Sequence, residues 1–267
     1  MINLIFGILI AIVSSESNKV IKIKTVNRFH NSDILESYYK INFDKTGKKV
    51  SKTFYNADHS IKKHFKYSYQ EEDLLTKREE YNKSGELKQT VHSRVNEFGD
   101  KIYNKRIYHL RTPVAEYIDQ YQHYYNKDQQ IIKTERFSGP NKDTIDWVYN
   151  YIFNEEGLLI FTDSKFKDEK RDESEYFYKK GNLKKSISYD YMNNGIRLSN
   201  SFAKYYYDKN NKLIRKNVKS CYKWKSPRGF KNYIYKYSFN KEGYLVTDEF
   251  INDDKSFRLE KTSYLYY

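Results

Sequence analysis

Cysteine, proline and glycine are all scarce in this chain of 267 residues, which holds one Cys, three Pro and ten Gly. The single thiol, Cys221, cannot close an intramolecular disulfide, so a disulfide-stapled scaffold is excluded and the redox compartment is not encoded. So few Pro and Gly exclude low-complexity linker. Long apolar runs are missing except at the N-terminus, where Ile2 to Val13 make one short run. A bilayer span needs roughly 20 apolar residues, so this run is too short to cross one. It fits the apolar stretch of a secretory signal, with a cut after Ser15, although no Lys or Arg precedes it. No Cys follows the run closely, so a lipoprotein anchor is not indicated. The expectation is a signal peptide over 1–15 and a single β-repeat domain over 16–267, placed in the secreted, periplasmic or cell-surface space.

Aliphatic side chains are also few, whereas Tyr occurs 29 times and Phe 16 times. Much of the burial must therefore come from rings, and a Tyr ring buries apolar area while keeping its hydroxyl near water. That composition suits a thin, half-wet layer better than a deep globular centre, and it argues against disorder. Basic residues outnumber acidic ones by 49 to 35, a formal net charge of +14. This excess attracts anionic partners such as polysaccharide, nucleic acid or a membrane surface. Lysine on solvent-facing strand positions also keeps sheet edges from pairing with neighbours.

One phrase recurs along the chain: an aromatic or Val, then Asn or Asp, then two polar residues and usually Gly. It appears as FDKTG from Phe43, YNKSG from Tyr81, VNEFG from Val95, YNKDQ from Tyr125, FNEEG from Phe153, YDKNN from Tyr207 and FNKEG from Phe239. An apolar residue follows shortly after each copy, such as Leu87, Leu159 or Leu245. Asn or Asp opens a turn by accepting from the backbone two residues on. The fifth place needs φ > 0, which Gly takes without strain and Asn tolerates. Hairpin loops of three to five residues ask for these residue types in this order. Between copies the pattern alternates. Phe65, Tyr67 and Tyr69 face one way while His64, Lys66 and Ser68 face the other, and Tyr233, Tyr235 and Tyr237 form one row. That is the period of a half-buried antiparallel strand.

The phrase and its looser copies begin at residues 43, 55, 69, 81 and 95. That spacing is one strand plus one turn, so consecutive strands pair as a meander of roughly sixteen to eighteen strands. No helix of any length is predicted. The fold class expected is all-β: an antiparallel β-meander of repeated hairpins forming one wide, twisted or curled sheet, open or partly closed. All three prolines, Pro113, Pro140 and Pro227, fall where the rhythm lapses and mark the longer loops. An outer-membrane barrel is the main rival. It needs an apolar row on every strand, whereas stretches such as LTKREEY carry charge on both faces.

The phrase resembles the YD repeat of Rhs-type proteins, whose unit runs Tyr-Asp-x-x-Gly-Arg-Leu. Tyr207-Asp208 through Leu213 and Phe43-Asp44 through Gly47 match it best, within a resemblance running over roughly residues 39 to 250. Phe often replaces Tyr, Asn often replaces Asp, and the Arg after Gly is missing. More distantly, YFYKKGNLKK is similar to the MORN-variant repeats of bacterial antitoxins. The first resemblance implies stacked hairpins, export, and surface or carbohydrate contact; the second implies neutralisation of a partner. Neither family supplies catalytic residues in its repeats.

No nucleotide-binding loop, dinucleotide fingerprint or nucleophile elbow is present. The six His residues are expected on turns and solvent faces rather than as metal ligands, and no cofactor is predicted. Trp147 is expected in packing. The segment KSCYKWKSPRGFKNYIYKY interleaves cations with rings, and gives the predicted ligand-binding residues Tyr222, Lys223, Trp224, Lys225, Arg228, Phe230, Lys231 and Tyr233. Ring faces stack on sugars or bases while the cations take phosphate, sulfate or carboxylate. The function expected is therefore binding rather than catalysis. The partner is an anionic polysaccharide or a partner protein, with nucleic acid disfavoured by export. An antitoxin or immunity role acting by protein–protein contact is the alternative.

Overall fold

In a computed structural model the chain is described over residues 21–31, 34–70, 75–138, 144–192, 195–222, 231–252 and 257–266. Among these residues there are eighteen strands. The first six are β1 (Ile21–His30), β2 (Leu35–Phe43), β3 (Lys49–Asn56), β4 (Ile61–Gln70), β5 (Leu75–Tyr81) and β6 (Leu87–Val95). The next six are β7 (Lys101–Tyr108), β8 (Ala115–Tyr125), β9 (Ile131–Ser138), β10 (Ile145–Phe153), β11 (Leu159–Phe166) and β12 (Glu169–Lys179). The last are β13 (Asn182–Tyr191), β14 (Arg197–Tyr207), β15 (Leu213–Tyr222), β16 (Lys231–Phe239), β17 (Leu245–Asn252) and β18 (Phe257–Tyr266). Each pairs antiparallel with its chain neighbours, as expected of the meander. The sheet then closes, because β1 also pairs β18, with Val26 opposite Thr262 and Arg28 opposite Glu260. The result is an up-and-down barrel with no free edge.

The recurring phrase supplies the hairpins. In the Phe43 copy, Gly47 N–H donates to Asp44 O at 3.0 Å, and Asp44 Oδ1 accepts from the N–H groups of Thr46 and Lys48 at 2.8 and 2.9 Å. Asn82, Asn96, Asn126, Asn154 and Asp208 repeat that two-acceptor pattern. The fifth residue has positive φ in every copy: 82° at Gly47, and 60° and 59° where Gln129 and Asn211 replace Gly. Register slips by one residue at the first residue of each copy, as at Phe43, which pairs with Lys49. This is a three-residue loop closed by a left-handed bulge. Bulges add local twist and bend, so the same phrase that reverses the chain also curls the sheet.

Turns after even-numbered strands lie at one end of the barrel, with the start of β1 and the end of β18. Every copy of the phrase except that at Tyr81 falls there. Pro113 lies in the connection from β7 to β8, at the other end, and Pro140 and Pro227 lie outside the described residues.

Directly paired residues of antiparallel strands share a face. Val26 pairs Tyr39, which pairs Phe54, and following such pairs round the ring returns to Glu260 and Arg28 without a change of side. Buried side chains crowd onto this face: Val26, Phe65, Val91 and Ala203 are its apolar members, and of all the buried residues only Thr53, Thr90 and Glu135 lie on the other. Charges on this face also feel one another across three strands, as Tyr39 on β2 feels Asp248 on β17. Across the other face the reach is shorter, one strand where His92 feels Lys77 and Lys105 and two where Glu173 on β12 feels Arg197 on β14. The first face is therefore the concave, inward one. The interior is not packed shut. Among the described residues only four apolar side chains are buried, Val26, Phe65, Val91 and Ala203. Barrels of about eight strands fill with side chains, while those of about sixteen to eighteen leave a watery bore.

Candidate functional site

The inward rows of β18 and β1 to β5 carry cations seated on rings. On β3, the Nζ of Lys52 lies 4.0 Å from the ring centroid of Tyr39 and 4.6 Å from that of Phe54. Arg28 of β1 lies 5.2 Å from the Tyr39 ring, and Lys49 Nζ lies 4.0 Å from that of Tyr67. Lys63 sits over Phe54 and Phe65 at 4.9 and 5.2 Å, and Arg78 over Phe65 at 5.4 Å. The rings touch in turn, Tyr39 to Phe54 at 5.3 Å and Phe54 to Phe65 at 5.9 Å. Strand alternation explains the pattern: pairs such as Ile41↔Lys52, Phe54↔Lys63 and Tyr67↔Arg78 put ring and cation on one face in adjoining strands.

Positive charge here is under-compensated. Glu260 binds Arg28 at 2.8 Å. Burial, then the nearby charges of Lys49 and Arg28, lower Lys52 from the ordinary lysine value of 10.5 to about 8, with Glu260 opposing and Lys24 adding to the fall. Burial also lowers Lys24, and burial with Arg78 lowers Lys49. A cation held on a ring face keeps its attraction for an anion, because the ring is a quadrupole and not a counter-charge.

Across the bore, the inward rows of β7 to β13 carry acids instead. Arg106 binds Asp119 at 2.8 Å, and Arg136 grips Asp146 through two nitrogens at 3.1 and 2.7 Å. Burial pushes Asp146 up, but Arg136 and Ser138 outweigh it and hold the carboxyl below its usual range. Asp172 accepts from Ser164 Oγ at 2.5 Å, and Asp190 accepts from Ser199. Burial raises Asp172, and the charges of Asp190, directly opposite, and Asp163 raise it further. Inward tyrosines line much of the remaining wall. Burial pushes Tyr149 up to about 12 and raises Tyr151, Tyr176, Tyr205 and Tyr237, so their hydroxyls stay neutral at ordinary pH.

Of the residues picked from sequence, Lys223, Trp224, Lys225, Arg228 and Phe230 lie outside the described residues, as does the side chain of Tyr222. Lys231 and Tyr233 are described. Both fall on the inward row of β16, where Tyr233 pairs Asn252 and stacks on Phe250 at 5.6 Å. They stand two strands from β18. The stronger cluster of Arg28, Lys49, Lys52 and Arg78 is not dense in any one segment of sequence, because its cations come singly or in pairs from β1, β3 and β5.

Three of the six histidines are tied to neighbouring strands through threonine. His64, His109 and His123 each share a hydrogen bond with a buried Thr, at 2.7, 2.8 and 2.9 Å from Thr53, Thr90 and Thr134. Among the described residues no group of His, Cys, Asp and Glu could hold a metal ion. Trp147 is half-buried on the inward row, stacked 5.7 Å from Tyr149 with Arg136 over its ring. Cys221 is a free, half-buried thiol on the outward row of β15.

Outward rows carry charge in mid-strand: Lys40, Lys66, Lys77, Glu79, Lys105, Glu135, Asp163, Glu173, Lys236 and Lys261 lie among their apolar residues. A Lys or Arg facing lipid at mid-depth costs roughly 2–4 kcal/mol. These rows therefore weigh against a lipid-facing wall. No described helix is long and apolar enough to cross a membrane, which says nothing of strands.

No family model matches the chain, and no curated protein matches it. Among solved structures, a porin-like protein from Bacteroides uniformis aligns with 92% of this chain and 98% of its own, at 7% identity and a TM-score of 0.44. A porin-like protein from Bacteroides vulgatus covers 91% and 99%, at 12% identity and a TM-score of 0.41. A TcdB2-TccC3-Cdc42 structure covers 84% of this chain but 16% of that one, with a TM-score of 0.27. These similarities are too loose to carry an argument about function.

Proposed function

We propose that the protein is an exported binding barrel that holds an extended anionic polymer, of the glycan class, along the inward wall of β18 to β5. The observation that carries this reading is the crowding of Lys24, Arg28, Lys49 and Lys52 onto ring faces, on a wall where burial and then the charges of Lys49 and Arg28 bring Lys52 down to about 8. An incoming carboxylate or sulfate supplies the counter-charge this wall lacks, through charge-assisted hydrogen bonds. Tyr39, Phe54 and Tyr67 offer ring faces beside those cations, the pairing that suits a sugar ring bearing an acidic group. The apolar run Ile2 to Val13, which fits a secretory signal over 1–15, and the YD-type turn phrase support export and surface contact.

The test is calorimetric titration of the full chain with uronate and sulfated oligosaccharides of defined length, beside neutral ones of equal length. Binding of the acidic series, weakening as salt rises, is the expected result. Equal binding of neutral and acidic chains, or none of either at low salt, removes this reading. If instead a single protein partner is captured at stoichiometric level while both series fail, the antitoxin-type alternative takes its place.

A further inference from the structure

A second cationic surface lies on the outside of the barrel, over β13 to β16. Its outward rows hold Lys185, Lys204, Arg215, Lys219 and Lys236, and no acidic side chain. Lys204, Arg215, Lys219 and Lys236 are exposed, unlike the half-buried cations of the lumen. Lys185 stands directly opposite Lys204, and Arg215 opposite Lys236. Like charges paired across strands destabilise a sheet, and the charge of one of these cations is offset from the next strand: Lys236 pairs with Glu249 of β17 at 3.1 Å, as Lys77 does with Glu79 and Lys105 with Glu116 elsewhere on the outer wall. Rings stand among these cations. Lys185 lies 4.6 Å from the centroid of Phe177 and 5.2 Å from that of Phe202, and Arg215 lies 5.4 Å from that of Tyr206. Phe177 and Tyr206 are each 40% exposed.

We infer that this face docks side-on to an anionic lipid surface. Charge complementarity selects an anion, and the shape selects a broad one. Four strands span about 15 Å, and the two depressions here, about 470 Å³ and 340 Å³, are shallow and meet at Lys204. Phe177 offers only apolar area, which belongs at the boundary of headgroups and acyl chains. The depressions take headgroup phosphates between Lys204, Lys219 and the neighbouring rings. This inference is independent of the lumenal ligand, since these side chains face away from the bore.

The test is sedimentation of the full chain with vesicles of phosphatidylglycerol and phosphatidylcholine, beside vesicles of phosphatidylcholine alone. Binding to the acidic vesicles only, reversed by salt, is expected. The Lys185→Glu/Lys204→Glu/Lys219→Glu chain should partition at least about tenfold less, since each basic residue near such a surface contributes on the order of 1 kcal/mol. Phe177→Ser, which leaves every charge in place, should also weaken binding by about threefold, and serves if the triple variant does not fold. Lys49→Gln/Lys52→Gln should bind vesicles as the parent does. Failure of the parent to sediment with acidic vesicles overturns the inference, as does equal sedimentation of a folded triple variant. Retention of dextran sulfate by this face without vesicle binding assigns it to a soluble polyanion and overturns the inference too.

Discussion

Lys52 and Asp172 occupy matching places, each mid-strand on an inward row, and burial pushes each toward its neutral form. Their surroundings then part. Asp172 keeps a hydrogen bond from Ser164, and its arc pairs Asp146 with Arg136 and Asp119 with Arg106. Lys52 rests on the faces of Tyr39 and Phe54, and the acid that acts on it, Glu260, already serves Arg28. The acid arc is satisfied by the protein itself, and its groups hold the wall together. The cation arc is left with a positive field that something else can satisfy. Charge kept on ring faces instead of in ion pairs is what separates a binding surface from a structural network of similar burial.

The strongest way to break that comparison is to remove charge from each arc and titrate with an acidic oligosaccharide. Lys49→Gln/Lys52→Gln should weaken binding on the order of 100-fold, as expected for two hydrogen bonds to charged groups at about 1.5–3 kcal/mol each. Asp172→Asn/Asp190→Asn should leave affinity within about threefold, because those acids face the opposite side of the bore. Equal losses in both variants would mean that the lumen acts as one field and that the arcs are not distinct. A smaller effect sharpens the same contrast through pH. Between pH 7 and 9.5 affinity should fall about tenfold as Lys52 loses its proton near 8. Lys52→Arg should flatten that profile, since guanidinium stays charged throughout. A profile unchanged by this substitution would place the titrating group elsewhere.

Stability should respond in the opposite sense to binding. With Lys52 near 8 against an ordinary 10.5, the folded protein holds this proton less tightly than the unfolded chain. Its charge therefore costs stability below about pH 8, and the cost is relieved as pH rises toward 10.5. Asp172 is raised, so the folded form holds its proton more tightly. Its charge costs stability above the raised value, and that cost is relieved as pH falls. Asp172→Asn should then stabilise the barrel at pH 7 by about 1 kcal/mol in urea unfolding, by ending its opposition to Asp190. Destabilisation instead would show that the Ser164 hydrogen bond outweighs the repulsion.

The turn phrase made the meander and its rows legible from sequence alone, because every step of that argument is local. Asp44, Gly47 and Phe43 contact one another within a single hairpin, and the row of Tyr233, Tyr235 and Tyr237 follows from a period of two. Closure was not legible. It rests on Arg28 meeting Glu260 across 232 residues, and no local pattern announces a pairing between the two ends of a chain. The cation arc is not legible locally either, since its cations come from separate strands between β1 and β5 and the acid that opposes them, Glu260, from β18. The segment from 219 to 237 stands out in sequence by its local density of cations and rings. It says little about which side chains a closed ring turns inward, and the part described, Lys231 and Tyr233, lies on the inward row of β16.

The smallest effect expected tests whether the two arcs share one scaffold beneath their different linings. Gly47 closes a turn in the cation arc and Gln129 the equivalent turn in the acid arc, at φ of 82° and 60°. A Cβ at Gly47 would meet nothing within 4 Å, so Gly47→Ala should cost about 1 kcal/mol for left-handed backbone alone. Gln129→Gly relieves the same strain but frees the unfolded chain, so the gain should be less, about 0.5 kcal/mol. Opposite signs of unequal size, with ligand affinity unmoved in both, are what a common turn requires. A change in affinity from Gly47→Ala would show that the turns, and not only the inward rows, shape the cation arc.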